Sequence, residues 1–248
     1  KVIIEEEIKV VKPAKVIEMP LHSVILPDFA KIRNVKSKKE QFFGFIRPAI
    51  DQENQKLLTK REQLKHWLEK VSLEETLTDE EQSALNSLVG TYKVNKHFSL
   101  LQKLNELLVR IDVIPAPLVL VQAANESAWG TSRFARIGLN FFGIWCYRQG
   151  CGMVPSGRDN GAKHEVAAFK SVNDSVRHYL YNINTNNAYI VFRAIRAQLR
   201  AQNQPLQPEV LATGLLPYSQ RGTDYVLEIT QMIRQNSTYF DSKPLQAD

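Results

Sequence analysis

The sequence contains no long apolar run, no dense basic patch, no repeat and very little cysteine. No run of eighteen or more apolar residues occurs in the 248 residues, which excludes a transmembrane helix. Lys and Arg do not cluster with interleaved aromatic residues, so nucleic acid is not an expected partner. The chain begins at Lys1 and not at a methionine, so we expect that an upstream segment was removed, by a signal peptidase or by cloning.

The two cysteines, Cys146 and Cys151, flank a Gln-Gly turn in the segment WCYRQGCGM. This spacing favours a disulfide across a tight hairpin, which would indicate an oxidising compartment. Two unpaired thiols and a zinc pair are the alternatives. Tetrahedral zinc needs four ligands, and only His164 lies close in the sequence. We therefore expect no metal site and no cofactor.

The rest of the composition is that of a globular protein with a mild positive charge. Hydrophobic residues make up 44% of the chain, enough for a sizeable core. The formal net charge is +6, and residues 116–248 hold thirteen Lys and Arg against nine Asp and Glu. Such a charge suits an anionic polymer such as peptidoglycan, although charge alone does not single out that partner.

The first part of the chain divides into an arm and a helical extension. Residues 1–35 are rich in Val and Ile and interrupted by prolines, so they pair as an edge strand, wrap over the domain or remain disordered. Apolar residues three and four apart predict helices over 36–113, with a kink or break at Pro48. A capping box at 78–81 opens one of these helices.

Residues 114–240 form the predicted catalytic domain, and 241–248 a frayed tail. Pro117 starts a helix whose body, LVLVQAA, is apolar nearly all round and so belongs in the centre of a domain. Residues 144–170 are typical of a small β-hairpin element. The remaining segments predict helices over 174–183, 188–202, 208–213 and 223–236. The expected fold class is α+β, predominantly α-helical.

Glu126 is the residue whose position is hardest to explain by structure alone. It ends the buried helix, at the negative end of the helix dipole and beside the indole of Trp129, and both effects favour a protonated carboxyl. A carboxylic acid that stays neutral can protonate a glycosidic oxygen as a general acid. The alternative is that Glu126 only caps the helix end, through water or a nearby arginine.

The string AANESAWG, with LNFFGIW downstream, resembles the signature of the glucosaminidase domain family, glycoside hydrolase family 73 of the lysozyme-like superfamily. FKSV, NTNNAY and YSQRGTDYV extend the resemblance over residues 115–236, and the longer segments are similar to Bax-type periplasmic members. The resemblance implies a lysozyme-like fold, a periplasmic or exported protein, and cleavage of peptidoglycan between N-acetylglucosamine and the following N-acetylmuramic acid. It also places Glu126 on the catalytic acid of the family.

A second catalytic group is harder to identify. Family members often carry a glutamate where this chain has Ser156 or Gly157, which is a departure from the pattern. Glu165, in the alternating strand, is the candidate for a catalytic or substrate-positioning carboxylate. In substrate-assisted hydrolysis the 2-acetamido group of the sugar attacks instead of a protein nucleophile. Tyr218, which matches the late tyrosine of the family, is then the candidate to orient or stabilise that group.

Five further residues form the predicted substrate-binding set: Ser127, Trp129, Asn140, Trp145 and Tyr147. The three aromatic side chains could stack on pyranose rings, with core packing as the alternative for Trp129. Asn140 could brace the loop after the catalytic helix, and Ser127 could hydrogen-bond within it.

These observations predict a peptidoglycan hydrolase, an endo-β-N-acetylglucosaminidase with Glu126 as general acid. The alternatives are a lytic transglycosylase on the same fold and a non-catalytic module that binds or scaffolds the wall. The expected partner is the peptidoglycan glycan strand. Residues 1–110 either pack on the catalytic domain as an obligate part of it or recruit another envelope protein.

Overall fold

A computed structural model describes residues 18–155 and 164–240. Within these ranges lie nine α-helices: α1 (Val35–Ser72), α2 (Asp79–Thr91), α3 (Leu100–Arg110), α4 (Ala116–Glu126), α5 (Arg133–Gly138), α6 (Val172–Thr185), α7 (Ile190–Ala201), α8 (Pro208–Ala212) and α9 (Thr223–Gln235). The strands are β1 (Trp145–Cys146), β2 (Gly152–Met153) and β3 (Glu165–Ala167). The predicted α+β, mainly helical fold class is confirmed. None of the described helices combines the length and the apolarity needed to cross a bilayer.

The long helix α1 forms the first part of the predicted helical extension and packs against later helices. It starts at an Asn34 side chain that accepts a hydrogen bond from the Ser37 amide, and it continues through Pro48 without ending. One face is buried, including Phe42, Phe43 and Ile46, and it packs against α3, α4 and α6. Burial of this face stabilises the helix despite the hydrogen bond that Pro48 cannot donate.

Helix α4 lies in the centre of the protein, as its apolar sequence predicts. Every residue from Leu118 to Ala124 is buried, and the helix contacts α1, α8 and α9. The core cluster is continuous from Phe29 to Phe240, so residues before and after 113 share one core. A helix surrounded on all sides fixes the position of its last residue, Glu126, on rigid packing.

Buried charges join the extension to the later helices. Arg196, only 1% exposed, donates to the Val109 carbonyl in the last turn of α3 and to the Asp112 carbonyl just after the helix. The Asp112 carboxylate is paired with Arg200 from α7, at 2.9 Å, and with Arg61 from α1, at 3.5 Å. Carbonyls at a helix C-terminus have no partner within their helix, so cationic side chains there satisfy them and stabilise the helix dipole.

The β-element is a three-stranded antiparallel sheet with the order β1-β3-β2. Cys146 lies opposite Glu165, and Gly152 opposite Ala167. A disulfide joins Cys146 to Cys151 and closes the loop between β1 and β2, so this is the state of the cysteines among the three alternatives that the sequence left open.

Residues 18–34, the described part of the arm, wrap over the protein. The Leu21 amide donates to the Ile137 carbonyl at 2.8 Å, and Glu18 pairs with Arg133. Phe29, 1% exposed, lies beside the Phe42 ring. The first seventeen residues and the predicted tail at 241–248 lie outside the described residues.

Candidate active site

Glu126 projects from a sharp turn at the end of α4. Ala128, Trp129 and Gly130 have φ values of 49°, 57° and 76°, all in the left-handed region. That conformation is costly for a bulky residue such as Trp129 and persists only where the surroundings impose it. Ser127 contributes to this: its hydroxyl donates to the Ala123 carbonyl at 2.6 Å and accepts from the Gly130 amide at 2.8 Å. The side chain of Glu126 is half-buried and so stays within reach of a ligand.

A chain of buried polar side chains leads to the Glu126 carboxyl. The Tyr179 hydroxyl donates to the Gln122 side-chain oxygen, and the Gln122 amide donates to the Tyr225 hydroxyl at 2.9 Å. Because the Tyr225 oxygen is an acceptor in that bond, its own proton is free to point toward Glu126. Gln122, Tyr179 and Tyr225 are at most 1% exposed, so their geometry is fixed by packing.

The surroundings of Glu126 shift its protonation. Burial raises the pKa of the Glu126 carboxyl above its ordinary value, and the hydrogen-bonding effect of Tyr225 and the charge of Arg221 partly oppose this. Burial likewise raises the pKa of Tyr225, and it raises that of Tyr189 to about 12. The site therefore combines a carboxyl that retains its proton unusually well with neutral tyrosine hydroxyls.

The loop 140–143 runs past this carboxyl. A Cβ placed on Gly143 would lie 3.7 Å from Glu126 Oε2, and the φ of Gly143 is 64°, a value that glycine adopts without strain. Asn140 is 2% exposed and donates to the carbonyls of Ile144 and Ala167 at 2.8 and 2.9 Å. The Asn140 side-chain oxygen also accepts from the Ile144 amide, so this residue braces the loop with its full donor capacity.

Tyr218, the predicted partner of the substrate's acetamido group, ties another segment to the same loop. Its hydroxyl donates to the Phe142 carbonyl at 2.9 Å, and its ring stacks on that of Tyr225 with centroids 5.5 Å apart. Burial raises the pKa of the Tyr218 hydroxyl well above its ordinary value. The structure therefore places Tyr218 next to the Glu126 site, with its hydroxyl proton used by the backbone.

Glu165 shapes the disulfide hairpin. It is 5% exposed, and its two carboxylate oxygens accept from the amides of Gly150 and Gly152 at 3.0 and 2.9 Å. These two amides flank Cys151, so the carboxylate and the disulfide hold the same turn from both sides. The geometry favours a structural role for Glu165, and its catalytic role stays a prediction.

The three aromatic candidates differ in what they offer to a ligand. Trp145 on β1 is 47% exposed and Tyr147 is 81% exposed, so both present ring surface at the hairpin. Trp129 instead packs against α1, with ring centroids 5.6 Å from Phe42 and 5.3 Å from Phe43. Among the described residues, the contacts of Trp129 are therefore mainly packing contacts with α1.

Gln122, Tyr179 and Tyr225 were not among the site residues predicted from the sequence. Gln122 carried a usable signal, because it is the one polar residue in the apolar stretch LVLVQAA and lies one turn before Glu126. Tyr225 stands in the YSQRGTDYV segment, but its proximity to Glu126 depends on folding.

Comparisons with known proteins cover most of the chain. A sequence profile of the glucosaminidase family, described as mannosyl-glycoprotein endo-beta-N-acetylglucosaminidase, matches residues 101–238. Protein bax of Escherichia coli (strain K12) is 33% identical over 213 residues, which are 85% of this chain and 74% of that protein. No solved structure gives a significant match. The matched range contains every site residue predicted from the sequence, and also Gln122, Tyr179 and Tyr225.

Proposed function

The chain belongs to the glucosaminidase family, and we propose that it is a peptidoglycan hydrolase in which Glu126 is the general acid. In this proposal it is an exported endo-β-N-acetylglucosaminidase that cuts glycan strands after N-acetylglucosamine. The observation that carries the proposal is a half-buried carboxyl with a raised pKa, held at the end of a buried helix.

In the proposed reaction, protonated Glu126 gives its proton to the glycosidic oxygen as the bond to the anomeric carbon breaks. The acetamido oxygen of the same sugar forms a bond to that carbon and gives a cyclic intermediate, so no protein nucleophile is needed. Water then opens the intermediate and returns a proton to the Glu126 carboxylate. This route fits a site in which the oxygens of Glu165 are already held by Gly150 and Gly152.

Tyr225, Gln122 and Tyr179 orient the acid in this scheme. The Tyr225 hydroxyl stabilises the carboxylate that remains after proton transfer, and Gln122 holds that hydroxyl in place. Trp145 and Tyr147 are proposed to stack on pyranose rings, because they are exposed aromatic surfaces on the hairpin.

Replacing the acid by its amide tests the proposal. Glu126→Gln removes the transferable proton with little change in shape, so turnover should fall by about two to four orders of magnitude while binding is retained. Turnover is measured as soluble fragments released from purified peptidoglycan, and binding by co-sedimentation with the same material.

Glu62→Gln is the matched control, because Glu62 is an exposed residue of α1 paired only with Lys65 among its described contacts. It should cleave like the wild type. If Glu126→Gln clears walls as fast as the wild type, the proposal is wrong; if the wild type binds walls but releases nothing, the chain is a wall-binding module.

A further inference from the structure

A cavity lies between α1, the end of α2 and α6. Its volume is about 240 Å³, and the residues that line it are Glu53, Lys56, Leu57, Lys60, Thr91, Tyr92, Arg177, His178, Leu180 and Tyr181. Tyr179, the α6 residue of the Glu126 site, is two positions from Arg177 and from Tyr181. Two positions correspond to about 200° around a helix, so the cavity lies on the side of α6 opposite to Tyr179.

Two donors of this cavity have no acceptor in the described part of the protein. Tyr92 is only 5% exposed, yet its hydroxyl makes no hydrogen bond to any described residue. Burial raises the pKa of that hydroxyl to about 12, so it remains a neutral donor. The Lys60 ammonium lies over the Tyr92 ring, 5.8 Å from its centroid, and pairs with no carboxylate of the described residues.

The other charges of the cavity are largely balanced within the protein. The buried Glu53 carboxylate accepts from Lys56 at 2.7 Å, and Arg177 is paired with Asp174. The remaining positive charge is that of Lys60, and the walls beside it are the apolar side chains of Leu57 and Leu180. One cation, one neutral hydroxyl and an apolar wall are suited to a small organic carboxylate.

We propose that this cavity binds the free carboxylate end of a short apolar peptide, such as the alanine-containing peptides attached to peptidoglycan. In this arrangement the carboxylate accepts from Lys60 and from the Tyr92 hydroxyl, and methyl groups contact Leu57 and Leu180. The cavity has the liquid volume of roughly eight water molecules, which is room for one or two small residues. Only the identification of the wall as the source of the peptide rests on the proposed function.

Calorimetric titration of the full chain with acetyl-Ala-Ala, and with its C-terminal amide, tests the proposal. The free acid should bind and the amide should not, because only the acid carries the charge that Lys60 recognises. Lys60→Gln should weaken binding by about tenfold or more, and Tyr92→Phe, which keeps the ring, by several fold. Lys65→Gln, on the same helix and paired with Glu62, should leave binding unchanged.

Three results would overturn the inference: no binding of the acid, equal binding of acid and amide, or binding that survives both cavity substitutions. Inorganic phosphate bound as tightly as the peptide would also overturn it, since that outcome describes a general anion site. Glu126→Gln should bind the peptide normally, so loss of glycan cleavage and loss of peptide binding are separate results. Co-sedimentation of Glu126→Gln with peptidoglycan, either intact or stripped of its peptides, tests whether the wall is the source of the peptide. Addition of Lys60→Gln should weaken binding to the intact peptidoglycan only. An equal effect on binding to both materials would reject the wall as source.

Discussion

Opposing effects act on the pKa of the Glu126 carboxyl. Burial raises the pKa of its carboxyl, whereas Tyr225 and Arg221 lower it. The balance keeps the proton on the acid to a higher pH than in water, and it also keeps the carboxylate stable enough to form once the proton is transferred. A general acid is most effective when its pKa lies near the working pH.

Tyr225→Phe should move the pH dependence in a defined direction. The Tyr225 hydroxyl lowers the pKa of Glu126, so its removal raises that pKa further. In the proposed reaction, activity requires protonated Glu126 and is lost as the pH rises through its pKa, so the alkaline limb of kcat/KM should shift to higher pH. We expect the maximal rate to fall by about tenfold, because the carboxyl loses its orienting donor.

The measurement is a pH profile of kcat/KM on soluble glycan strands. Tyr181→Phe removes a hydroxyl that donates to the Thr91 carbonyl on the other face of α6, and it should leave the position of the limb unchanged. An alkaline limb that stays in place or moves to lower pH in Tyr225→Phe contradicts the assigned role.

Among the individual site residues, the sequence predicts Glu126 as the acid but does not predict the buried side chains of the hydrogen-bond chain beside it. Glu126 is identifiable because the helix end and the ESAWG string are local features. Tyr179 and Tyr225 are 57 and 103 residues from Gln122 in the sequence, so their hydrogen bonds arise only from tertiary packing. Asn140 and Ser127 are local again, and both make the internal hydrogen bonds that their positions suggested.

The β-element carries the exposed aromatic residues, and three independent constraints hold its short strands together. These are the Cys146–Cys151 disulfide, the Glu165 carboxylate, and the close approach of β2 to β3 at Gly152. A Cβ on Gly152 would clash with the Val166 carbonyl group, so only glycine fits this register. The sequence predicts a hairpin here but not the central position of β3, because strand order depends on a return of the chain.

Gly152→Ala should therefore loosen the hairpin. We expect a loss of about 1–3 kcal/mol in the free energy of unfolding, the usual range for overpacking, and a raised KM with a smaller change in kcat. Urea unfolding and steady-state kinetics measure the two effects.

Gly90→Ala is the matched control, because a Cβ at Gly90 meets no atom within 4 Å and the residue lies inside α2. Alanine there should stabilise the protein by up to about 1 kcal/mol through helix propensity. If Gly152→Ala is as stable as the wild type and has the same KM, the hairpin does not position substrate.

At the scale of the molecule, the extension contributes a large part of the main core of the described residues. Phe42 and Phe43 on α1 contact Trp129 next to the acid, and Asp112 joins Arg61 on α1 to Arg200 on α7. The spacing of apolar residues predicts most of the helices, because apolar residues three and four positions apart lie on the same buried face of a helix. They do not predict the path of the arm or the short helix α5, which depend on distant contacts such as that of Leu21 with Ile137.

Residues 112–240 alone should therefore fail to fold. Without α1 the buried face of α4 and the ring of Trp129 are exposed to water, and the burial free energy lost is far larger than the marginal stability of a domain. We expect weak near-ultraviolet circular dichroism and strong dye binding, and recovery when residues 18–111 are co-expressed. A cooperative, active fragment of 112–240 would instead make the extension a separate module.

The most direct measurement of the central claim is the chemistry of the ends produced from peptidoglycan. Digestion by the wild-type chain, followed by mass spectrometry of the fragments, should give new reducing ends of N-acetylglucosamine, absent from the Glu126→Gln digest. New anhydro-muramic ends would contradict hydrolysis and identify a transglycosylase, and new reducing N-acetylmuramic acid would contradict the proposed bond.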